Sequence, residues 1–487
     1  MLFNSYIFIL LFLPLTLIGY YILNHFSKYR LASIYLLLMS LWFYAYFNIK
    51  YLPIILTSII LNYLFYIFFN HNNVKWLRKV VLVVAVLLNV SLLLYFKYYD
   101  FFIENVNAVF DTEFTLKRLL LPLGISFFTF QQLSFVIDSY RNEIPKYDFI
   151  NYALFVTYFP QLIAGPIVTH DEMVPQFLDE KNRKIDFQNL ASGLYVFAMG
   201  FAKKVLIADV FGNAVNWGYA NTDLLNATDA IVIMLSYTIQ IYFDFSGYCD
   251  MATGIAKMMN FDLPQNFNSP YKSFTITEFW KRWHRTLTRF FTKYIYIPLG
   301  GNRKGETRML LNTLIVFLVS GFWHGASWNF VLWGFLHGAF CVITKLFDKF
   351  FEKLHPALNW IITFLFVNLT WILFRATSIS EAAGIISKIG AMNFGGINYN
   401  ILSVFKLDGV EALSTIFFGK GLLEINSGIY LLLFSVAAFA IFLGCKNVNE
   451  KLAEFRPTAA KSLFTVVLLV WGLISLSGMS TFLYFNF

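Results

Sequence analysis

Between Met309 and Thr344 the sequence holds no Asp, Glu, Lys or Arg, yet it holds two histidines, His324 and His337. An imidazole is the side chain best suited to take and return a proton near neutral pH. Ionisable groups at membrane depth are costly and tend to mark substrate or proton paths, which makes His324 a candidate base; a packed histidine bonded to a carbonyl is the alternative. His337 sits 13 residues later inside a good helix pattern and reads as structural. A third histidine, His284, lies among charges in FWKRWHRTL, and two acids, Asp244 and Asp250, flank an aromatic stretch, YFDFSGYCD.

The elements that must carry these residues follow from periodicity and punctuation. As one straight helix, Met309 to Thr344 would extend roughly 54 Å, well beyond the roughly 30 Å of a hydrocarbon core. The run must therefore break, and Gly321 to Ser327, with two glycines and a serine, is the natural place. Basic residues flank both ends (Arg303, Lys304 and Arg308 before, Lys345 and Lys349 after), so the positive-inside tendency puts both ends on the cytoplasmic side. A hairpin or re-entrant pair over 309–344 with His324 at its turn is expected, with the imidazole roughly 20 Å from Met309.

Upstream, Thr275 and Glu278 fit a capping box opening a helix over 275–292. On a helical wheel Phe279, Trp280, Trp283, Leu287, Phe290 and Phe291 share one sector, and Lys281, Arg282, Arg285 and Arg289 the opposite one. Such a helix lies in the membrane interface. His284 falls at the edge of its apolar sector, where it is either an interfacial ring or a working one.

Composition bounds the class. With 487 residues, 58% hydrophobic, 20% aromatic and 13% charged, the chain is too apolar for a soluble globular protein and reads as an all-α polytopic membrane protein. The formal charge is +9, and Lys272 to Arg308 concentrates nine bases against Glu278 and Glu306. That suits anionic headgroups or an acidic cytosolic partner rather than nucleic acid. Cys249, Cys341 and Cys445 are far apart, without metal-ligand or disulfide-scaffold spacing.

In chain order, spans are expected at Leu2 to Leu23, read as retained because it lacks a positive n-region and an A-x-A cleavage site, then Leu31 to Phe47, Tyr51 to Phe69 and Val80 to Phe96. Loop lysines and arginines after the first and third spans place the N-terminus outside. Further spans are Leu119 to Ile137, ending in the Asp138–Arg141 pair, Phe149 to Val168, Phe187 to Ala202 closed by Lys203 and Lys204, and Ile231 to Phe243 running into Asp244. After the hairpin come Leu358 to Leu373, Tyr430 to Leu443 and Ser462 to Leu476, about a dozen in all. The chain divides into N-terminal helices (1–110), a central region (111–350) and C-terminal helices (351–487) with a polar interval at 378–427.

Six motifs in order, FFTFQQLSFVIDSYR, YFPQLIAGPI, IYFDFSGYCDMATGIAKMMNF, FWKRWHRTL, YIYIPLGGNR and FWHGASWNFVLWGFLHG, closely resemble the membrane-bound O-acyltransferase family. The match is densest from Leu119 to Gly338 and is most similar to the bacterial polysaccharide-acylating branch, represented by the alginate O-acetyltransferase membrane subunit and the teichoic acid D-alanyl transfer protein. FNSYIFILLFLPL and LTWILFRA also look like the alginate type.

The resemblance implies a bacterial inner-membrane enzyme moving an acyl group from a cytoplasmic thioester donor, such as acetyl-CoA or an acyl carrier protein, to an acceptor outside. By motif, His324 matches the family's near-invariant histidine and His284 the second histidine of this branch. Asp244, Tyr248 and Asp250 match an acidic-aromatic motif and, with Asn312, are candidate substrate-binding residues; Lys281, Arg282, Arg285 and Arg289 are a candidate face for donor or carrier docking. An extracellular acyltransferase partner and a polysaccharide acceptor are implied, with no bound cofactor or metal. Acetyl transfer for an exported polysaccharide leads, with D-alanyl transfer second and peptidoglycan O-acetylation third. A transporter or flippase, or an envelope-synthase scaffold, are the readings from other classes, although no inverted repeat supports transport.

Overall fold

The computed structural model describes residues 1–405, 427–476 and 482–483; positions 406–426 of the expected polar interval lie outside the described residues. Every regular element among the described residues is helical. Hydrocarbon offers no partner to backbone N–H and C=O groups, so a chain this apolar must satisfy them within helices.

The helices used below are α1 (Phe8–His25), α2 (Tyr29–Ala45), α3 (Ile49–His71), α4 (Lys75–Phe110), α5 (Ile125–Tyr140), α6 (Phe149–Thr157), α7 (187–220), α8 (Ala227–Met258), α9 (Ile276–Arg282), α10 (Arg285–Phe291), α11 (Glu306–His324), α12 (Trp328–Leu346), α13 (Pro356–Arg375), α14 (Ile379–Gly390), α15 (Ser427–Gly444), α16 (Val448–Ala453) and α17 (Ala459–Ile474). Seven of them, α1, α3, α4, α8, α12, α13 and α15, are long and apolar enough to cross a membrane, and α2 and α17 are shorter apolar helices. Two of the expected spans, Leu119 to Ile137 and Phe149 to Val168, overlap the shorter helices α5 and α6.

The chain forms two compact units, Met1–Phe197 with Met251–Pro264, and Ala198–Asp250 with Gln265–Phe487. In the first, α5 is buried on nearly all sides, with α3 and α4 packed on it. Its polar side chains find partners inside: Gln132 accepts from Tyr152, and Asp138 lies 3.6 Å from His170 and 3.9 Å from Arg141. Asn62 and Asn89 exchange amide hydrogen bonds of 3.1 and 2.7 Å between α3 and α4. Gly124 opens α5 with φ +69°, and a Cβ there would stand 2.8 Å from the Leu162 carbonyl oxygen, so both conformation and space require glycine.

The second unit holds the residues singled out for chemistry. Two sequence expectations change here. The helix expected to close at Lys203 continues through a π-helical segment, Lys203–Ala208, to Ala220, and the helix expected to end near Asp244 continues to Met258. Both extensions follow from charge pairing: Lys203 Nζ lies 2.6 Å from Asp250 Oδ2, and Lys204 Nζ lies 2.6 Å from Asp244 Oδ1 and 2.8 Å from Asp209. A lysine matched by a neighbouring helix's carboxylate can stay inside a packed bundle instead of marking its edge.

Candidate active site

The expected hairpin is present as α11 and α12, separated by Gly325 to Ser327. Close packing of its two arms needs small residues. A Cβ at Gly321 would overlap the Phe330 carbonyl oxygen and one at Gly334 the Phe317 carbonyl oxygen, each on the opposite arm. The turn is tied down by Asn329 on α12, whose amide donates to the Leu373 and Ala376 carbonyls at 3.1 and 2.5 Å. These bonds also satisfy carbonyls at the C-terminus of α13.

His324 is the last residue of α11 and is 3% exposed. Eighteen steps of α-helix separate it from Glu306, roughly 27 Å, because the arm begins three residues before Met309. Its ring packs edge-on against Trp323, Trp333 and Phe374, with centroids 4.9, 5.2 and 5.1 Å away. Aromatic walls on three sides limit the orientations the imidazole can take.

His284 departs from expectation in a way that matters. The helix expected over 275–292 is two short helices, α9 and α10, broken at Trp283 and His284. Thr275 caps α9, its hydroxyl accepting from Glu278 N–H at 3.1 Å, while the Glu278 carboxylate accepts from Phe274 N–H at 2.9 Å, one residue beyond the expected box. His284 then takes a left-handed backbone, φ +44° and ψ +51°. A non-glycine residue there is strained, and such strain persists only where surrounding contacts over-determine it.

Those contacts come from Asn266. His284 Nδ1 lies 3.0 Å from Asn266 Oδ1, which also accepts from the Thr286 hydroxyl at 2.9 Å and from Thr286 N–H at 3.4 Å. The Arg285 N–H donates to the Asn266 carbonyl at 3.0 Å. Because a backbone N–H can only donate, the Asn266 side-chain atom facing the Thr286 N–H is the amide oxygen. The His284 Nδ1 therefore carries the proton, and Nε2 is the basic nitrogen. Burial pushes this imidazole down to about 3, so it is neutral through the physiological range.

The two histidines share a neighbour, since the Trp323 indole lies 6.3 Å from the His284 ring and 4.9 Å from the His324 ring. From α8, Phe245 stands edge-on to His284 at 4.9 Å, and Cys249 Sγ accepts from Asn266 Nδ2 at 3.4 Å. The acidic-aromatic motif thus works on two faces. Asp244 and Asp250 fasten α8 to α7 through Lys204 and Lys203, and Phe245 and Cys249 back the His284 cradle.

The other predicted residues are placed as follows. Asp244 also accepts from Leu483 N–H at 3.0 Å, and Tyr248 meets Phe482 edge-on at 4.7 Å. Asn312 is fully buried and donates to the Gly301 carbonyl at 2.9 Å, tying α11 to the loop before it. His337 accepts from Trp280 Nε1 at 3.2 Å and contacts the Thr370 hydroxyl at 2.9 Å, a fully bonded structural histidine. On the basic face Lys281, Arg285 and Arg289 are exposed; Arg282 is drawn to Glu278 at 2.7 Å, and Arg285 donates to Gln265 at 2.6 Å. Among the described residues no three His, Cys, Asp or Glu side chains are grouped to hold a metal ion.

Sequence reasoning missed Asn266, Trp323 and the two lysine pairs. Asn266 lies 18 residues before His284, and no local spacing joins them.

Residues 36–380 match the family model described as MBOAT, membrane-bound O-acyltransferase family. The chain is 38% identical to the peptidoglycan O-acetyltransferase of Helicobacter pylori over 100% of this chain and 98% of that one. It is 38% identical to a probable alginate O-acetylase AlgI of Pseudomonas aeruginosa, over 78% of this chain and 73% of the relative. With the teichoic acid D-alanyltransferase of Bacillus subtilis it shares 26% identity over 51% of this chain and 67% of the relative. The chain, a multi-pass membrane protein with two buried histidines around a shared tryptophan, belongs to the membrane-bound O-acyltransferase family.

Proposed function

We propose that the protein is an O-acetyltransferase of the bacterial cytoplasmic membrane, its N-terminus outside, that passes acetyl groups from a cytoplasmic thioester such as acetyl-CoA to a cell-envelope polysaccharide. The observation that carries the reading is the buried pair His284 and His324 on either side of Trp323. In this reading the His324 imidazole takes the proton of an acceptor hydroxyl as its oxygen attacks the thioester carbonyl. The C–O bond forms, the C–S bond breaks, and the imidazolium returns its proton to the departing thiolate. His284, neutral and held by Asn266, orients the donor or relays a proton through Nε2.

The exposed Lys281, Arg285 and Arg289 supply a cationic approach for donor phosphates or an acidic carrier. Acetyl is favoured over D-alanyl by the higher identity and longer coverage of the O-acetylating relatives. Peptidoglycan moves ahead of an exported polymer as acceptor because the match to the Helicobacter pylori relative covers both chains almost entirely. An extracellular acyltransferase partner that receives the acetyl group first fits the same reading.

The test is the acid released by mild base from cell wall and secreted polymer, in a strain lacking the protein and in strains restored with wild type or His324→Ala. Acetate lost from the wall and restored by wild type alone is expected. Restoration by His324→Ala would remove the base from His324, and loss of D-alanine in place of acetate would replace the acyl group.

A further inference from the structure

A second site lies away from the histidines, in a cavity of about 760 Å³ bounded by α7, α15, α16 and α17. It is elongated along the helices that line it. On α15 its wall runs from Tyr430 through Phe434, Ala437 and Ile441 to Cys445, one face of the helix over roughly 22 Å. Phe464, Leu468 and Trp471 of α17 face it at the same helical spacing. On α7 the wall runs from Met199 to Asn213, roughly 21 Å. Each leaflet's acyl chains fill about 15 Å, half of the roughly 30 Å hydrocarbon core, so the groove holds a full chain with length to spare for a headgroup.

Its cationic charge is gathered at one end, and the carboxylate farther along the wall, Asp209, is matched by Lys204 at 2.8 Å. Lys203 and Lys451 both line it, and Lys451 Nζ stands 3.6 Å from Met199 Sδ. Lys203 is matched by Asp250, but no carboxylate among the described residues forms an ion pair with Lys451. Burial, then the like charge of Lys203, pull the Lys451 ammonium below its ordinary value, so an anion beside it would be welcome. Cys445 and Lys272 mark the same end, the Lys272 ammonium donating to the Cys445 carbonyl at 3.1 Å. The walls beyond are largely apolar, with Leu433 and Phe464 themselves exposed.

We propose that this groove binds one anionic membrane phospholipid, its phosphate headgroup on Lys451 and an acyl chain along α15 and α17. A zwitterionic lipid with the same chains would fill the track equally well but would bring its own cation to the two lysines. Free phosphate would use Lys451 but leave the track unfilled.

The test is native mass spectrometry of the purified full-length protein released from nanodiscs holding equal amounts of phosphatidylglycerol and phosphatidylcholine with matched chains. Wild type is expected to retain one phosphatidylglycerol with at least about fivefold preference, the size expected of one lysine near a membrane surface. Lys451→Arg should keep the preference, and Lys451→Glu and Lys451→Gln should lose it. Ala437→Trp, at an exposed small residue of the track, should reduce retention of both lipids while the melting temperature in detergent stays within a few degrees. Equal retention of the two lipids by wild type, an undiminished preference in Lys451→Gln, or displacement of the phospholipid by millimolar inorganic phosphate alone would each overturn the proposal.

Discussion

Asn266 is the residue whose replacement should separate a positioned histidine from a merely packed one. Its Oδ1 accepts from His284 Nδ1–H at 3.0 Å and from the Thr286 hydroxyl at 2.9 Å, at a place where His284 is 1% and Thr286 2% exposed. In Asn266→Ala both donors lose that acceptor in a dry environment, at about 1–3 kcal/mol each. Part of this loss should surface as relaxation of the left-handed backbone at His284. The ring would then be free to change tautomer, and the nitrogen aimed at the reaction would no longer be reliably the basic one. A correctly presented acid-base group contributes about 10²–10⁴-fold to rate, so Asn266→Ala should lose transfer by about 10²-fold or more.

Asn266→Asp asks a sharper question. It keeps the acceptor but places a carboxylate beside the ring, which raises a neighbouring imidazole pKa by about 1–3. From about 3 the ring would move into the pH 4–6 range, and transfer should fall relative to wild type as pH drops through it. The assay is acetyl transfer by protein in nanodiscs across pH 4.5–8, with nitrogen chemical shifts of labelled histidine reporting the tautomer. Wild-type rates and a profile that follows wild type in a folded Asn266→Asp, with Nδ1 unprotonated in wild type, would refute the reasoning.

Other perturbations follow from the same geometry. Lys204→Met, which strands Asp244 and Asp209 together, should destabilise the protein by about 3–5 kcal/mol, whereas Asp244→Leu should cost less, because Lys204 keeps Asp209 at 2.8 Å; denaturant unfolding in detergent measures both. Gly334→Ala should cost about 1–3 kcal/mol of overpacking, since its Cβ meets the Phe317 backbone, and should lower the melting temperature and transfer together. For His284 the folded ring titrates near 3 and the unfolded one near 6.5, so the unfolded state binds more protons between them. Its contribution is intact above about pH 6.5 and declines as pH falls towards 3; His284→Gln should flatten that part of the stability profile, and an unchanged slope would show that other groups carry it.

Much of the architecture was legible because membranes constrain sequence severely. A charge-free run well longer than the hydrocarbon core is thick must turn, a glycine-rich stretch is the place where it can, and so the hairpin and the place of His324 follow from the chain itself. The interfacial stretch was legible as helical but not as broken. Nothing local at Trp283 and His284 forbids a continuous helix; the break is imposed by Asn266, 18 residues earlier.

Lys203 and Lys204 show the same limit from the other side. By hydropathy alone two adjacent lysines end a span, and the sequence determined only that such charges need water or a partner. Which of these they have is decided by α8, whose Asp244 and Asp250 lie 40 and 47 residues away and come alongside only when the helices pack. Residue types and short-range periodicity thus set the helices, the hairpin and the candidate histidines. The tautomer of His284, its strained backbone and the burial of the lysine pairs are products of contacts between distant segments, because hydrogen bonds and ion pairs depend on distances that only packing fixes.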